Sequence, residues 1–261
     1  MEHWQAWQRW FSRWPTAEPM ERQLPIPIVQ EPLSPRSAST SESARHSARL
    51  ETLNRVMNVA IATIGLILAA PIMVVFAVLV RVTSRGPIIY TQARVGLDRR
   101  RVAGEPLAYD RRTRDLGGRP FLILKFRTMR KDAETNGAVW AVKRDARVTP
   151  IGRIMRKYRI DELPQLINVI RGDMNIVGPR PERPVIFSRL CDDIAEYPLR
   201  QRARPGITGL AQVSQAYDTS IDDVRAKVQY DLQYIERRGV AKDLEIMART
   251  VPVMIFRKGG W

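Results

Sequence analysis

The chain has 261 residues, 43 Lys and Arg against 27 Asp and Glu, a net charge of +16 and one cysteine. That length holds one substantial domain with an appendage; Cys191 alone excludes an intramolecular disulfide, and no Cys/His cluster has zinc-site spacing. The positive excess favours anionic partners, whether nucleic acid, acidic lipid headgroups or phosphate-bearing substrates, without choosing among them.

Residues 1–50 read as a basic, Pro- and Ser-rich tail with too few apolar side chains to offset the entropy of ordering. Its start differs: Trp4, Trp7, Trp10 and Trp14 recur every three or four residues. On a helix that spacing gives one indole face, suited to a bilayer interface; an unstructured aromatic end is the alternative.

Residues 51–82 read as a membrane helix. Val56 to Val80 is 25 residues without a charge, about 37 Å of helix at ~1.5 Å per residue, against a hydrocarbon core of ~30 Å. Pro71 lies well inside and predicts a bend. Arg45, Arg49 and Arg55 precede the segment and Arg81, Arg85 and Arg94 follow it, so both flanks ask for the same side of the membrane. A helix broken at Pro71 that enters and returns satisfies both, with Thr63 or Asn58 available to the backbone groups freed at the bend. A kinked spanning helix is the alternative.

Residues 83–261 read as a globular catalytic domain. Short strands are expected at 87–90 and 121–126, separated by a basic, glycine-containing loop or hairpin at 98–119. Helices are expected at 151–158, 163–170, 221–237 and 243–256, the last interrupted by Pro252 and suited either to the membrane surface or to ordinary packing. The fold class is α+β, mostly helical with a small sheet.

The chemistry concentrates in Asp161-Glu162, placed by Pro164 at a helix start. Capping is the ordinary use of acids there. The same place suits a bound phosphate, with Arg156 and Arg159 holding a carboxylate ionised and therefore nucleophilic. Its neighbour can hold a divalent cation against phosphate oxygens. Arg180, clamped between Pro179 and Pro181, presents a pre-ordered guanidinium. Lys125 and Arg127 share a strand face by the two-residue period and either line the anionic site or face water. Arg204 opens the basic turn Arg204-Pro205-Gly206-Ile207-Thr208-Gly209, suited to a nucleotide or simply a connection.

These motifs together resemble the bacterial sugar transferases, the monotopic phosphoglycosyl transferases: Lys125-Phe126-Arg127-Thr128-Met129, Asp161-Glu162-Leu163-Pro164-Gln165 with Asn168-Val169, Gly172-Asp173-Met174, Gly178-Pro179-Arg180-Pro181, and Arg204 to Val213. The resemblance runs from about Asn54 to Arg257. It implies transfer of a sugar-1-phosphate from a UDP-sugar to polyprenyl (undecaprenyl) phosphate, with Mg²⁺, at the cytoplasmic face of the bacterial inner membrane. That reaction opens exopolysaccharide, capsule, lipopolysaccharide O-antigen or glycoprotein glycan assembly, with downstream glycosyltransferases as further partners. It implies an Asp161 nucleophile that expels UMP and a Glu162 metal ligand. Arg156 and Arg180 would neutralise phosphate charge, Arg204 would contact the nucleotide, and the re-entrant helix would break at Pro71. Two departures stand out: Ala70 takes the place of a frequent Ser before that proline, and the 98–119 stretch is longer than usual. The extra membrane helices of the larger family form are missing, so the chain is like the minimal form with an N-terminal extension.

Other classes explain less. A nucleic-acid binder accounts for the charge but lacks a recognition motif and has no use for the apolar segment, so no nucleic-acid partner is expected. A membrane scaffold needs neither the acid pair nor the proline-clamped arginine. A membrane-bound phosphatase or nucleotide hydrolase, with water as acceptor, is the enzymatic alternative.

Overall fold

The computed structural model describes residues 40–98, 118–130, 133, 145–215 and 220–255. The four N-terminal tryptophans, most of the 98–119 stretch and the end of the last expected helix lie outside the described residues. The chain divides into two units, Met1–Ala44 and Arg45–Trp261. In the first, residues 40–44 are helical; the second carries the rest of that helix and every other element.

The first helix, α1 (Thr40–Thr83), begins upstream of the expected 51–82 segment and stays helical through Pro71. Within it, Leu50–Thr83 is long and apolar enough to cross a membrane. Its two faces differ. Asn58, Ala62 and Val80 are buried, and Met73, Phe76 and Ala77 pack on the core. Ile64, Ile67, Leu68, Val74, Val75 and Val78 are exposed, Leu68 to 75 %. Helical spacing puts the first set along one side, so α1 lies against the domain and turns an apolar stripe outward. A contiguous stripe of that kind marks a membrane or protein contact and not a water-facing surface; the helix is suited to monotopic membrane association.

Three sequence expectations about α1 change. Arg55, counted among the flanking charges, is not a free cation but donates to Val169 O (2.6 Å) and Ile170 O (2.8 Å). Arg94 sits in a strand and pairs with Glu182 (3.2 Å). Asn58 faces inward, accepting from Ile176 N (2.6 Å) and donating to Asn54 O (2.8 Å), so it does not serve the backbone near Pro71. Buried donors must find acceptors, and here the domain's own open carbonyls outcompete solvent for them.

Two small sheets follow. Strands β1 (Ile89–Val95) and β2 (Pro120–Phe126) are antiparallel, with Ile89 opposite Phe126 and Val95 opposite Pro120. The ends of the intervening stretch close as a hairpin: Gly96 N donates to Arg119 O (3.1 Å) and Arg119 N to Leu97 O (3.2 Å). Helix α2 (Pro150–Lys157) starts with Pro in its first turn and Thr149 capping Gly152 N (3.0 Å). A single 3₁₀ turn (Ile160–Glu162) and helix α3 (Gln165–Arg171) come next. Strand β3 (Asn175–Val177) runs parallel to β4 (Gly206–Thr208). Between them lie α4 (Pro184–Asp193) and a 3₁₀ helix (Tyr197–Arg202). Helices α5 (Leu210–Ser214), α6 (Ile221–Arg237) and α7 (Val240–Ile255) complete the order. A Ser220–Asp223 capping box fixes the start of α6 where the sequence placed it.

Asn168 ties α3 to β2. It is fully buried; its Nδ2 donates to Leu122 O (2.8 Å) and its Oδ1 accepts from Leu124 N (3.0 Å). One amide side chain thus pairs the β2 backbone as a neighbouring strand would. Asn168→Leu leaves a buried N–H and a buried C=O unpaired and should lower stability by about 2–4 kcal/mol. Denaturant unfolding in detergent measures this, and a loss under about 0.5 kcal/mol would show the pairing to be incidental.

Candidate active site

The acid pair is positioned by an unusual turn. Arg159, at φ 57°, occupies the left-handed region between α2 and the 3₁₀ turn. For a non-glycine residue this costs roughly 1–2 kcal/mol. It reverses the chain so that Ile160 and Leu163, on either side of the acids, enter a cluster with Val80, Phe126 and Met155. The acids therefore sit on a short turn whose hydrophobic anchors grip both β2 and α1.

This arrangement corrects one expectation. The pair does not cap an α-helix: Pro164 is the N-cap of α3, and no side chain caps it. The turn's amides are already used, Glu162 N donating to Arg159 O (3.2 Å), Leu163 N to Ile160 O (3.2 Å) and Leu166 N to Leu163 O (3.1 Å). Cationic side chains, not helix-end amides, supply the positive charge.

Those side chains converge on one oxygen. Glu162 Oε1 accepts from Arg180 Nη2 (2.8 Å) and Lys125 Nζ (3.2 Å), with Arg159 Nη1 at 3.5 Å. Burial alone pushes Glu162 up, but the charges of Arg180, Lys125 and Arg159 outweigh it and hold the carboxyl well below its usual range. Burial also lowers Lys125, partly offset by Glu162. Asp161 goes the other way: burial, then the Glu162 charge, raise its pKa, while Lys125, Arg156 and Arg159 pull it back part of the way. The expectation that arginines make Asp161 a readily ionised acid is thus reversed, because enclosure and a like-charged neighbour dominate. Arg156 stays close by, its Nε donating to Thr128 Oγ1 (2.9 Å).

Two expected members lie elsewhere. Strand β2 ends at Phe126, so Arg127 does not share its face with Lys125; it donates to Ser84 O (2.6 Å), Ser84 Oγ (2.6 Å) and Arg85 O (3.0 Å) at the end of α1. Arg204 lies toward the far end of α3, near Arg55, whose pKa is lowered by burial and then by the Arg204 charge. Its turn is largely strand β4, with Gly206 N donating to Pro179 O (3.0 Å), so it offers fewer open amides than the motif suggests.

Sequence reasoning missed the residues that hold the Arg180 loop. Arg200 is buried, pairs with Asp231 (2.7 Å) and donates from Nη2 to Arg180 O (3.1 Å). Arg94 donates to Pro181 O (3.1 Å). Gly178 lets β3 approach β4: a Cβ there would lie 2.3 Å from Arg204 O. An arginine far from any motif carries no local mark of burial, so only the fold exposes Arg200.

The donor set fits Mg²⁺. This ion takes one or two carboxylates and completes its octahedron with phosphate oxygens and water. Asp161 Oδ1 is enclosed and has no hydrogen-bond partner among the described residues, so it is an oxygen open to a metal or a ligand. Glu162 Oε1 is covered by cations, which leaves Oε2 to a metal. No group of three His, Cys, Asp or Glu forms a metal cluster among the described residues, so substrate oxygens would have to share the coordination.

Comparison with known proteins adds the context. Residues 49–257 match the family model described as bacterial sugar transferase. The chain is 37 % identical over 203 residues to the UDP-N-acetylgalactosamine-undecaprenyl-phosphate N-acetylgalactosaminephosphotransferase of Aeromonas hydrophila, covering 78 % of this chain and 44 % of that protein. It is 38 % identical to the UDP-glucose:undecaprenyl-phosphate glucose-1-phosphate transferase of Caulobacter vibrioides, covering 77 % and 69 %. It is 34 % identical to the exopolysaccharide production protein ExoY of Sinorhizobium fredii, covering 79 % and 87 %. The chain thus spans less than half the length of the Aeromonas relative and most of the Sinorhizobium one.

The electrostatics make a stability prediction. An acid whose folded pKa is raised favours the folded state while protonated, below its unfolded value, and loses that contribution as pH rises through the folded pKa. Asp161→Asn removes the buried charge and should stabilise the protein by about 0.5–2 kcal/mol near neutral pH. The gain should shrink as pH falls and wild-type Asp161 takes up its proton. Thermal unfolding against pH checks both sign and trend; a loss of stability at neutral pH contradicts the assignment.

Proposed function

The chain belongs to the bacterial sugar transferase family, and from that premise we propose that it transfers a sugar-1-phosphate from a UDP-sugar to polyprenyl phosphate through a covalent intermediate on Asp161. The observation that carries this reading is the unequal state of the acid pair. Glu162 is committed as an anion to Arg180 and Lys125, while Asp161 beside it keeps an enclosed oxygen without a partner among the described residues. A carboxylate poorly satisfied by its surroundings is the more basic and the more nucleophilic of two.

In the first step an Asp161 oxygen bonds to the β-phosphorus of the donor, the bond from that phosphorus to the UMP oxygen breaks, and UMP leaves with the electron pair. In the second, a phosphate oxygen of the polyprenyl phosphate bonds to the same phosphorus. The acyl–phosphate bond breaks, and the Asp161 carboxylate returns as the diphosphate-linked lipid sugar departs. Arg180 and Arg156 neutralise phosphoryl charge, and Lys125 and Arg159 hold Glu162 in place. Glu162 would hold Mg²⁺ through Oε2 together with substrate oxygens, and the ion would supply charge neutralisation to the donor diphosphate. One cationic pocket then serves donor and acceptor in turn.

Membrane placement follows the same logic. Both arms of α1 contact one domain: Asn54 and Asn58 bond to Asp243 and Ile176, and Met73 to Val80 pack on β2 and α2. A helix whose two ends rest on the same domain is best accommodated by entering and leaving one leaflet, with a bend centred on Pro71, through which α1 stays helical, and the catalytic domain on the cytoplasmic side of the inner membrane. Exopolysaccharide assembly is the process suited to the product, consistent with the name of the Sinorhizobium relative.

Membranes carrying the protein, given polyprenyl phosphate and a panel of UDP-sugars, should release UMP with at least one donor. Asp161→Asn should lower that rate by about 10³-fold or more while leaving the protein membrane-bound, the scale seen when a nucleophile is removed. UMP release beyond one equivalent per protein without polyprenyl phosphate would instead identify a hydrolase, and an active Asn variant would remove Asp161 from the nucleophile's role.

A further inference from the structure

The apolar stretch of α1 ends at Thr83, and the next residues are held in a specific shape. Arg127 gathers the carbonyls of Ser84 and Arg85 onto its guanidinium. Gly86, at φ 126°, makes room for it; a Cβ there would stand 2.1 Å from Arg127 Nη1. With both carbonyls turned onto Arg127, the Arg85 side chain lines a cavity of about 420 Å³, joined by Arg130, Ser84, Thr149 and Ile151.

Two features of this cavity call for an anion. Among the described residues neither the Arg85 nor the Arg130 guanidinium has a hydrogen-bond or ion-pair partner, and no carboxylate lines the space. Asp145, the nearby acid on the segment that pairs with Arg130, is fully engaged by Arg147 (Oδ1 2.9 Å, Oδ2 2.6 Å). Close by in the chain, the surface is apolar: Val82 at the end of α1 is 78 % exposed and Ile154 on α2 is 45 % exposed. Arg85 and Arg130 are both exposed; guanidiniums match phosphate oxygens, and cations at the end of an apolar helix match the headgroup level of a bilayer.

We propose that this cavity binds the phosphate of an anionic membrane-lipid headgroup, fixing how the end of α1 sits at the bilayer surface. The cavity adjoins the reacting site: Arg156 Nε donates to Thr128 Oγ1 (2.9 Å), and Thr128 O accepts from Thr149 N (2.9 Å) in the cavity wall, so the lipid panel below includes the acceptor's own phosphate. The proposal rests on the membrane reading of α1 but not on the chemistry at Asp161.

The test uses the full chain in neutral detergent, with lipid retention followed by native mass spectrometry. Phosphatidylglycerol should be retained and phosphatidylcholine should not. Arg85→Gln/Arg130→Gln should weaken retention about tenfold or more, the size expected from two interfacial arginines. The charge-matched Arg189→Gln/Arg237→Gln, remote from the cavity, should change it less than twofold. Circular dichroism confirms folding, and the single Arg130→Lys variant, which keeps the charge, should retain most of the binding. Equal weakening by both double variants would mean diffuse attraction and overturn the site. Retention confined to polyprenyl phosphate, or competition by millimolar inorganic phosphate alone, would overturn the headgroup assignment. Sedimentation with neutral phosphatidylcholine vesicles tests α1 separately: failure there removes the membrane premise, whereas sedimentation without anion selectivity removes only the cavity proposal.

Discussion

One carboxylate oxygen organises the site. Glu162 Oε1 receives Lys125 from β2 and Arg180 from the Gly178–Pro181 loop, and it belongs to the turn that carries Asp161. Three segments distant in sequence thus meet at a buried charge, which is stable there only because cations surround it. The loop that supplies Arg180 is itself held along its backbone. Pro179 O accepts from Gly206, Arg180 O from Arg200, Pro181 O from Arg94 and Glu182 O from Val95. The guanidinium that meets Glu162 is therefore presented by a frame that does not need to reorganise when phosphate arrives, which is the condition for electrostatic catalysis.

The same turn is bound to the apolar helix. Ile160 and Leu163 flank the acids and share a cluster with Val80, Phe76 and Met73 of α1. Beyond the acids, Arg55 of α1 donates to the Val169 and Ile170 carbonyls near the end of α3, a favourable place for a cation at a helix C-terminus. The acids and the membrane-facing helix are thereby one packed unit. The proposed transfer from a soluble donor to a lipid acceptor requires that proximity.

Much of this was legible in the chain. The apolar segment, the α6 helix and the two strands that flank 98–119 follow from periodicity and turn residues. The grouping of Asp161, Glu162 and Arg180 followed from residue chemistry and motif spacing, while Lys125, left between the anionic site and water, is placed on Glu162 by the fold. What the chain concealed is of two kinds. Strands β3 and β4 have three residues each, too few for a two-residue alternation to register. The destinations of Arg127, Arg55 and Arg94 were concealed because an arginine's reach exceeds its local context: each goes to carbonyls that exist only after the chain has folded. The balance of charge at Asp161 was misjudged for the same reason, since burial is a property of the assembled core.

Asp161, and not water or the acceptor, is held to be the group that first takes the donor's phosphoryl group. Intact-protein mass spectrometry after rapid mixing with a turnover-competent UDP-sugar, in the absence of polyprenyl phosphate, decides the matter. The expected result is a mass increase equal to one sugar phosphate, mapped to Asp161 and discharged on addition of the acceptor. An unmodified protein that nevertheless turns over once acceptor is supplied would mean direct transfer, and Asp161 would lose its covalent role.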